Sequence, residues 1–185
     1  MRRRCTLYRD RVPTLDELTG SGPATIDVVL GDQFLLGVRS GPVREPEWSA
    51  IAWTDPDDPA PDGCRSWLVD TVVVWGSVDP PAVKQVSLVI RLGGLDAAAF
   101  ADRYGSHGAV ARAHHGMSRY VQNLVAAGPP GLDAVSELCF NSERSWADEF
   151  YLQPDSAAIV RDDVRAFIDL RATSSALVAE TVVRP

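Results

Sequence analysis

Apolar positions fall in short, irregular runs over the first eighty residues and in longer, regular blocks after Pro80-Pro81. Residues 3–9 read as a strand. Thr14-Leu15-Asp16-Glu17-Leu18 reads as a single capped helical turn, with Thr14 as N-cap and Glu17 as its capping-box partner, closed by Gly20, Gly22 and Pro23. Residues 25–30 and 34–39 are short β-rich runs separated by a Gly31-Asp32 turn, and residues 48–54 are another strand. The proline-rich, acidic stretch 55–63 is an exposed loop. Residues 67–78, dense in valine and tryptophan, form the clearest strand of this half and stop at Asp79-Pro80-Pro81.

Beyond the double proline the periodicity predicts a strand at residues 86–92, a Gly93-Gly94 turn, and a helix from its N-cap Asp96 to His114. The apolar stripe of that helix is Phe100, Tyr104, His107 and Ala111, and Gly116 closes it. Strands follow at residues 117–123 and 134–140, separated by Gly128-Pro129-Pro130-Gly131. A helix at 142–152 carries Trp146 and Phe150, and a second at 156–168 carries Val160, Val164, Phe167 and Ile168. The last element is a strand at 173–183. From residue 86 the order is β-α-β-β-α-β, the ferredoxin-like unit.

The two halves carry an echo. Leu68-Val69-Asp70-Thr71-Val72-Val73 matches Leu177-Val178-Ala179-Glu180-Thr181-Val182-Val183 with one residue inserted. If this is a true repeat, residues 1–85 are a degenerate ferredoxin-like half whose second helix is replaced by residues 55–63, and residues 86–185 are the regular half. The expected fold is then α+β, with two such sheets face to face in one pseudo-symmetric barrel. The other reading is a chance match of two valine-rich strands.

Composition narrows the classes of function. The 185 residues carry a net charge of −7, −4 before Gln85 and −3 from it onward, so neither half has the basic surface that drives nucleic-acid binding. No nucleic-acid partner is expected. No stretch approaches the ~20 apolar residues that span a bilayer. Arg9, Asp10, Arg11, Asp16 and Glu17 lie where the apolar core of a signal peptide would have to be. Cys5, Cys64 and Cys139 are far apart and form no C-x-x-C. A cytoplasmic protein with no membrane partner is the expectation.

Residues 100–123, FADRYGSHGAVARAHHGMSRYVQN, followed by Val135-Ser136-Glu137-Leu138-Cys139-Phe140 and the helix with Phe167, resemble the EthD-like branch of the dimeric α/β-barrel superfamily. The resemblance rests on a helix with aromatics and a histidine at His107, an H-G-x-x-R-Y-V-Q-N strand, and an acidic residue in an x-E-L-x-F strand. It covers about residues 86–183, and departs from the usual form at His115 and Ala109, where relatives often have proline. It implies two sheets packed face to face around a small-molecule cavity, the second sheet normally supplied by another subunit. It also implies dehydration, cyclisation or decarboxylation of aromatic or polyketide-like compounds, or an accessory role in a degradative pathway. Here the second sheet comes from the front half of a monomer, or the rear half forms a homodimer.

His107 on its apolar stripe is the leading acid/base candidate, since an imidazole exchanges protons near neutral pH. A core histidine with a backbone partner is the competing reading. Gly105 and Gly108 flank it inside the helix, which suggests close approach of a neighbour. Strand alternation puts Tyr120 and Gln122 on one face, and turns Glu137 towards the space between the sheets with Leu138 and Phe140 towards the helices. In the enzymatic reading His107, Tyr120 and Glu137 are catalytic, while Tyr104, Gln122 and Trp75 contact substrate. In the other, the same residues bind and orient a hydrophobic ligand without turning it over. Adjacent His114 and His115 cannot both point inward, and no further ligand stands at metal spacing. A haem, used by other branches of the superfamily, would need His107 as axial ligand. Neither metal nor cofactor is expected.

Overall fold

The computed structural model describes residues 1–31, 33–40, 46–76 and 80–185. Eight antiparallel strands close into one barrel: β1 (Arg2–Tyr8), β2 (Ala24–Val29), β3 (Ala50–Thr54), β4 (Arg65–Trp75), β5 (Val83–Val89), β6 (Arg119–Ala127), β7 (Ala134–Phe140) and β8 (Ser174–Arg184). Their order around the barrel is β1-β3-β2-β8-β5-β7-β6-β4. Each half therefore contributes one four-stranded ferredoxin-like sheet, and β2–β8 and β4–β6 are the seams between them.

The sequence echo corresponds to an equivalence of register. Leu68 stands opposite Arg4 on β1 and Leu177 opposite Gln85 on β5, so Arg3 in the front half occupies the place of Lys84 in the rear. Hydroxyl pairs bridge equivalent strands in both halves: Thr6 to Ser66 at 3.0 Å and Ser87 to Ser175 at 2.7 Å. The rear half keeps its helices α2 (Ala97–His114), α3 (Glu143–Glu149) and α4 (Ser156–Val164). Asp96 caps α2 by accepting from the Ala99 amide. In the front half a 3-10 turn at Leu15–Glu17, with the Thr14–Glu17 capping box, stands in for the first helix. Residues 55–64 stand in for the second with turns alone.

Residues 34–39, read from sequence as a strand, lie in helix α1 (Phe34–Ser40). A closed barrel has no free edge on which another strand could pair, and Gln33 bonds both the N–H and the C=O of Leu177 beside it. Leu36 joins Trp146 in one buried cluster, and the Trp146 indole donates to the Leu35 carbonyl. The predicted strand 86–92 is displaced to Val83–Val89, which brings Lys84 into the barrel wall. The predicted end of β4 at Val78 and the turn residue Asp32 lie outside the described residues.

The barrel interior is filled. An eight-stranded barrel is just wide enough for its own side chains. Cys5, Ile51, Trp53, Trp67, Val69, Val86, Val135 and Val178 pack there, and beside them lies a layer of charges. Lys84, 1% exposed, reaches Asp27 at 2.9 Å, Glu137 at 2.7 Å and Glu180 at 2.6 Å. Arg3 pairs with Glu137 at 2.5 Å and Arg119 with Glu180 at 3.0 Å. Among the described residues, tryptophans and this cluster occupy the space between the sheets where the cavity is expected.

Candidate functional site

The pocket lies on the outer face of the rear sheet, under α2 and α4. A cavity of about 190 Å³ is lined on the sheet side by Ser87, Ser136 and Tyr120, and on the helix side by Tyr104, His107 and Val160. His115, Phe150 and Tyr151 line it as well, with Leu170, 47% exposed, at its rim. The corresponding place on the front sheet, between Tyr8, Leu18 and Ala52, holds only about 10 Å³. Loss of both front helices lets the 3-10 turn close directly onto small side chains.

His107 is held from α4. Its Nδ1 lies 2.7 Å from Asp163 Oδ2, and its ring packs against Phe167 and, edge-on, Tyr120. A carboxylate accepts, so Nδ1 carries the proton and Nε2 keeps its lone pair. Burial lowers the imidazole below the usual histidine range, with Asp163 opposing that shift. The ring is therefore neutral at pH 7 and able to take a proton.

Hydroxyls stand beside it. Tyr104 Oη and Ser136 Oγ are 2.7 Å apart, and the Gln122 amide donates to the Tyr104 carbonyl at 2.6 Å and to Tyr120 Oη at 3.3 Å. Burial raises both tyrosines above the ordinary phenol range, which keeps them protonated as donors. Trp75 lies outside the pocket lining; its ring leans on Tyr120 at 5.2 Å and its indole donates to the Met117 carbonyl. It thus backs two residues that do line the cavity.

Glu137 is separated from this group. It points between the sheets as strand alternation predicts, but the cavity is on the other side of the sheet, so His107 and Tyr120 share a site that Glu137 does not face. Burial alone would raise its carboxyl; Lys84 and Arg3 overcome that and hold it well below the usual range. Burial raises Asp27 despite Lys84. Trp48, Trp53 and Trp67 are core residues of the barrel.

Three site residues escape the sequence reading. Asp163 has a visible signal: it sits three residues after Val160, on the stripe that faces α2. His115 has none, because the chain leaves α2 there with extended backbone (φ −118°, ψ 140°). That turns His115 inward while His114 faces Ser156 at 3.0 Å. Ser136 alternates outward from Glu137 and becomes meaningful only opposite Tyr104. Among the described residues, no group of three or more His, Cys, Asp or Glu side chains is placed to hold a metal ion, and no helix is long and apolar enough to cross a membrane.

No protein-family profile and no curated protein matches the sequence. Solved structures share the fold. An anthrone oxidase-like protein superimposes with a TM-score of 0.58 at 11% identity, over 100% of this chain and 94% of that one. A putative monooxygenase from Lactobacillus acidophilus superimposes with a TM-score of 0.52 at 8% identity, over 98% and 94%. The likeness is one of fold: a single closed eight-stranded antiparallel barrel with flanking helices, here completed within one chain.

Proposed function

We propose that this chain is a lyase or cyclase that works without a cofactor on a small aromatic or polyketide-like carbonyl compound, by acid/base chemistry at His107. The observation that carries the reading is His107 in the pocket wall, with its Nδ1 held by Asp163. The carboxylate fixes the tautomer and stabilises the imidazolium, and Nε2 is left to act on a ligand. In the proposed step Nε2 takes a proton from the carbon next to a carbonyl. The C–H electron pair moves onto the carbonyl oxygen as an enolate, stabilised by the tyrosine hydroxyls. A β-hydroxyl then leaves as water with the proton returned from His107, or the enolate closes on a second carbonyl.

Size limits the substrate. An apolar cavity of ~150 Å³ holds benzene, so about 190 Å³ suits one substituted ring rather than several fused ones. The names of the two fold neighbours refer to oxidation, and oxidation of an anthrone carbon can begin with loss of the same kind of proton. In this reading Glu137 serves the barrel and takes no part in proton transfer, Tyr104 and Tyr120 touch substrate, and Gln122 and Trp75 position them.

The test is α-deuteration of acetophenones in D2O, followed by NMR, with dehydration of a β-hydroxy aryl ketone read by enone absorbance. Removing a positioned base costs about 10²–10⁴-fold, so His107→Ala is expected to lose the rate by that order. Unchanged exchange removes His107 from the mechanism. Binding without any exchange in the wild type assigns the pocket to a non-catalytic binding protein.

A further inference from the structure

His115 is the second imidazole of the pocket, eight residues beyond His107, and it is 6% exposed. Its Nδ1 is 2.8 Å from the Phe150 carbonyl. Its ring packs against Phe150, edge-on at 4.9 Å, and against Tyr151 at 5.0 Å. A backbone carbonyl only accepts, so Nδ1 must donate and Nε2 must carry the lone pair. Among the described residues no protein group bonds Nε2 of His107 or of His115, neither nitrogen is a fully buried atom without a partner, and both residues line the cavity. The pocket wall thus carries two imidazole acceptors, beside an apolar lining that includes Ala111, Met117, Leu138 and Val164.

That pairing selects a ligand. With His107 committed to the reacting proton, Nε2 of His115 needs a donor from the ligand. A carbonyl, ether or bare ring edge would strip water from it and offer nothing in return. We propose that His115 is the specificity-determining residue of the pocket and that the substrate is a hydroxyaryl ketone, whose phenolic hydroxyl, remote from the reacting carbon, donates to Nε2 of His115. This rests on the reading of the cavity as the substrate site with His107 at its reacting end.

The experiment compares 4-hydroxyacetophenone, 4-methoxyacetophenone and acetophenone as ligands of the wild type and of His115→Phe, by titration with NMR detection. The wild type is expected to bind the hydroxy compound about tenfold more tightly than either of the others, the loss that follows from leaving a buried acceptor unpaired. In His115→Phe that preference falls to within twofold while acetophenone still binds. Long-range ¹H–¹⁵N correlation on the wild type is expected to show both histidines protonated at Nδ1, a readout that does not depend on the variant folding. Equal binding of the three compounds, a preference that survives His115→Phe, no binding of any at millimolar concentration, or His115 protonated at Nε2 each overturns the proposal. A hydroxyl preference that depends on His115 without α-deuteration leaves it standing and removes the base; deuteration without preference does the reverse.

Discussion

The Nζ of Lys84 lies 2.9 Å from each carboxylate oxygen of Asp27, joining β5 of the rear half to β2 of the front half past the intervening β8. Lys84 is the chain's only lysine, and Asp27 is fully buried with the Trp53 indole as its other partner. Burial would lower the ammonium, and the three surrounding carboxylates more than reverse that, holding it charged. The pair ties the two halves at the level where their sheets meet.

Removal of one member of a buried ion cluster leaves a charge without compensation, at about 3–5 kcal/mol. Lys84→Met is expected to destabilise the protein by that order in urea denaturation. Lys84→Met with Asp27→Asn is expected to recover much of the loss, because Glu137 keeps Arg3 and Glu180 keeps Arg119, while the amide keeps a partner in Trp53. A double variant no more stable than the single one would contradict the pairing.

The barrel closes within one chain and leaves no strand edge open. Sedimentation equilibrium is expected to return the monomer mass, 20.0 kDa. A dimer at micromolar concentration would show that the rear half takes its second sheet from elsewhere.

His115 is pushed down to about 4 by burial, from an unfolded value near 6.5. The unfolded chain therefore binds the proton first, and stability present above pH 6.5 is lost as pH falls towards 4. At about 1.4 kcal/mol per pH unit the loss amounts to roughly 3 kcal/mol. Urea midpoints across this range are expected to fall less steeply in His115→Phe than in the wild type.

The His107 imidazole is also lowered by burial, and a base acts in its neutral form. The α-deuteration rate is expected to stay level down to pH 6.5 and to fall only below it. An acid limb centred above 6.5 would place the active base elsewhere.

Glycines 105 and 108 flank His107 in α2 but face different surroundings. A Cβ at Gly105 meets nothing within 4 Å, whereas one at Gly108 would lie 2.9 Å from Val74 Cγ1 on β4. Gly105→Ala is expected to stabilise by up to about 1 kcal/mol through helix propensity. Gly108→Ala gains the same intrinsic preference and loses it to the contact, so thermal unfolding should rank Gly105→Ala above it.

The sequence by itself determined the ferredoxin-like order of the rear half, because long amphipathic periods and proline and glycine stops are local signals. It also set which strand residues share a face: Glu137 inward, Leu138 and Phe140 towards the helices, Tyr120 with Gln122. The echo between β4 and β8 is legible for the same reason, since both are fourth strands that pair with the first strand of their own half. Tertiary structure alone decided which side of the sheet holds the cavity. Alternation assigns faces but not what fills the space beyond them, and Trp53, Trp67 and the Lys84 cluster fill the barrel where the resemblance implied a pocket. It also decided that residues 34–40 form a helix, since only closure of the barrel removes the edge a strand would need. The His107–Asp163 contact joins α2 to α4 across 56 residues, and His115 enters the pocket only through the extended turn at the end of α2. Both depend on how helices lie over a sheet, which no local period encodes.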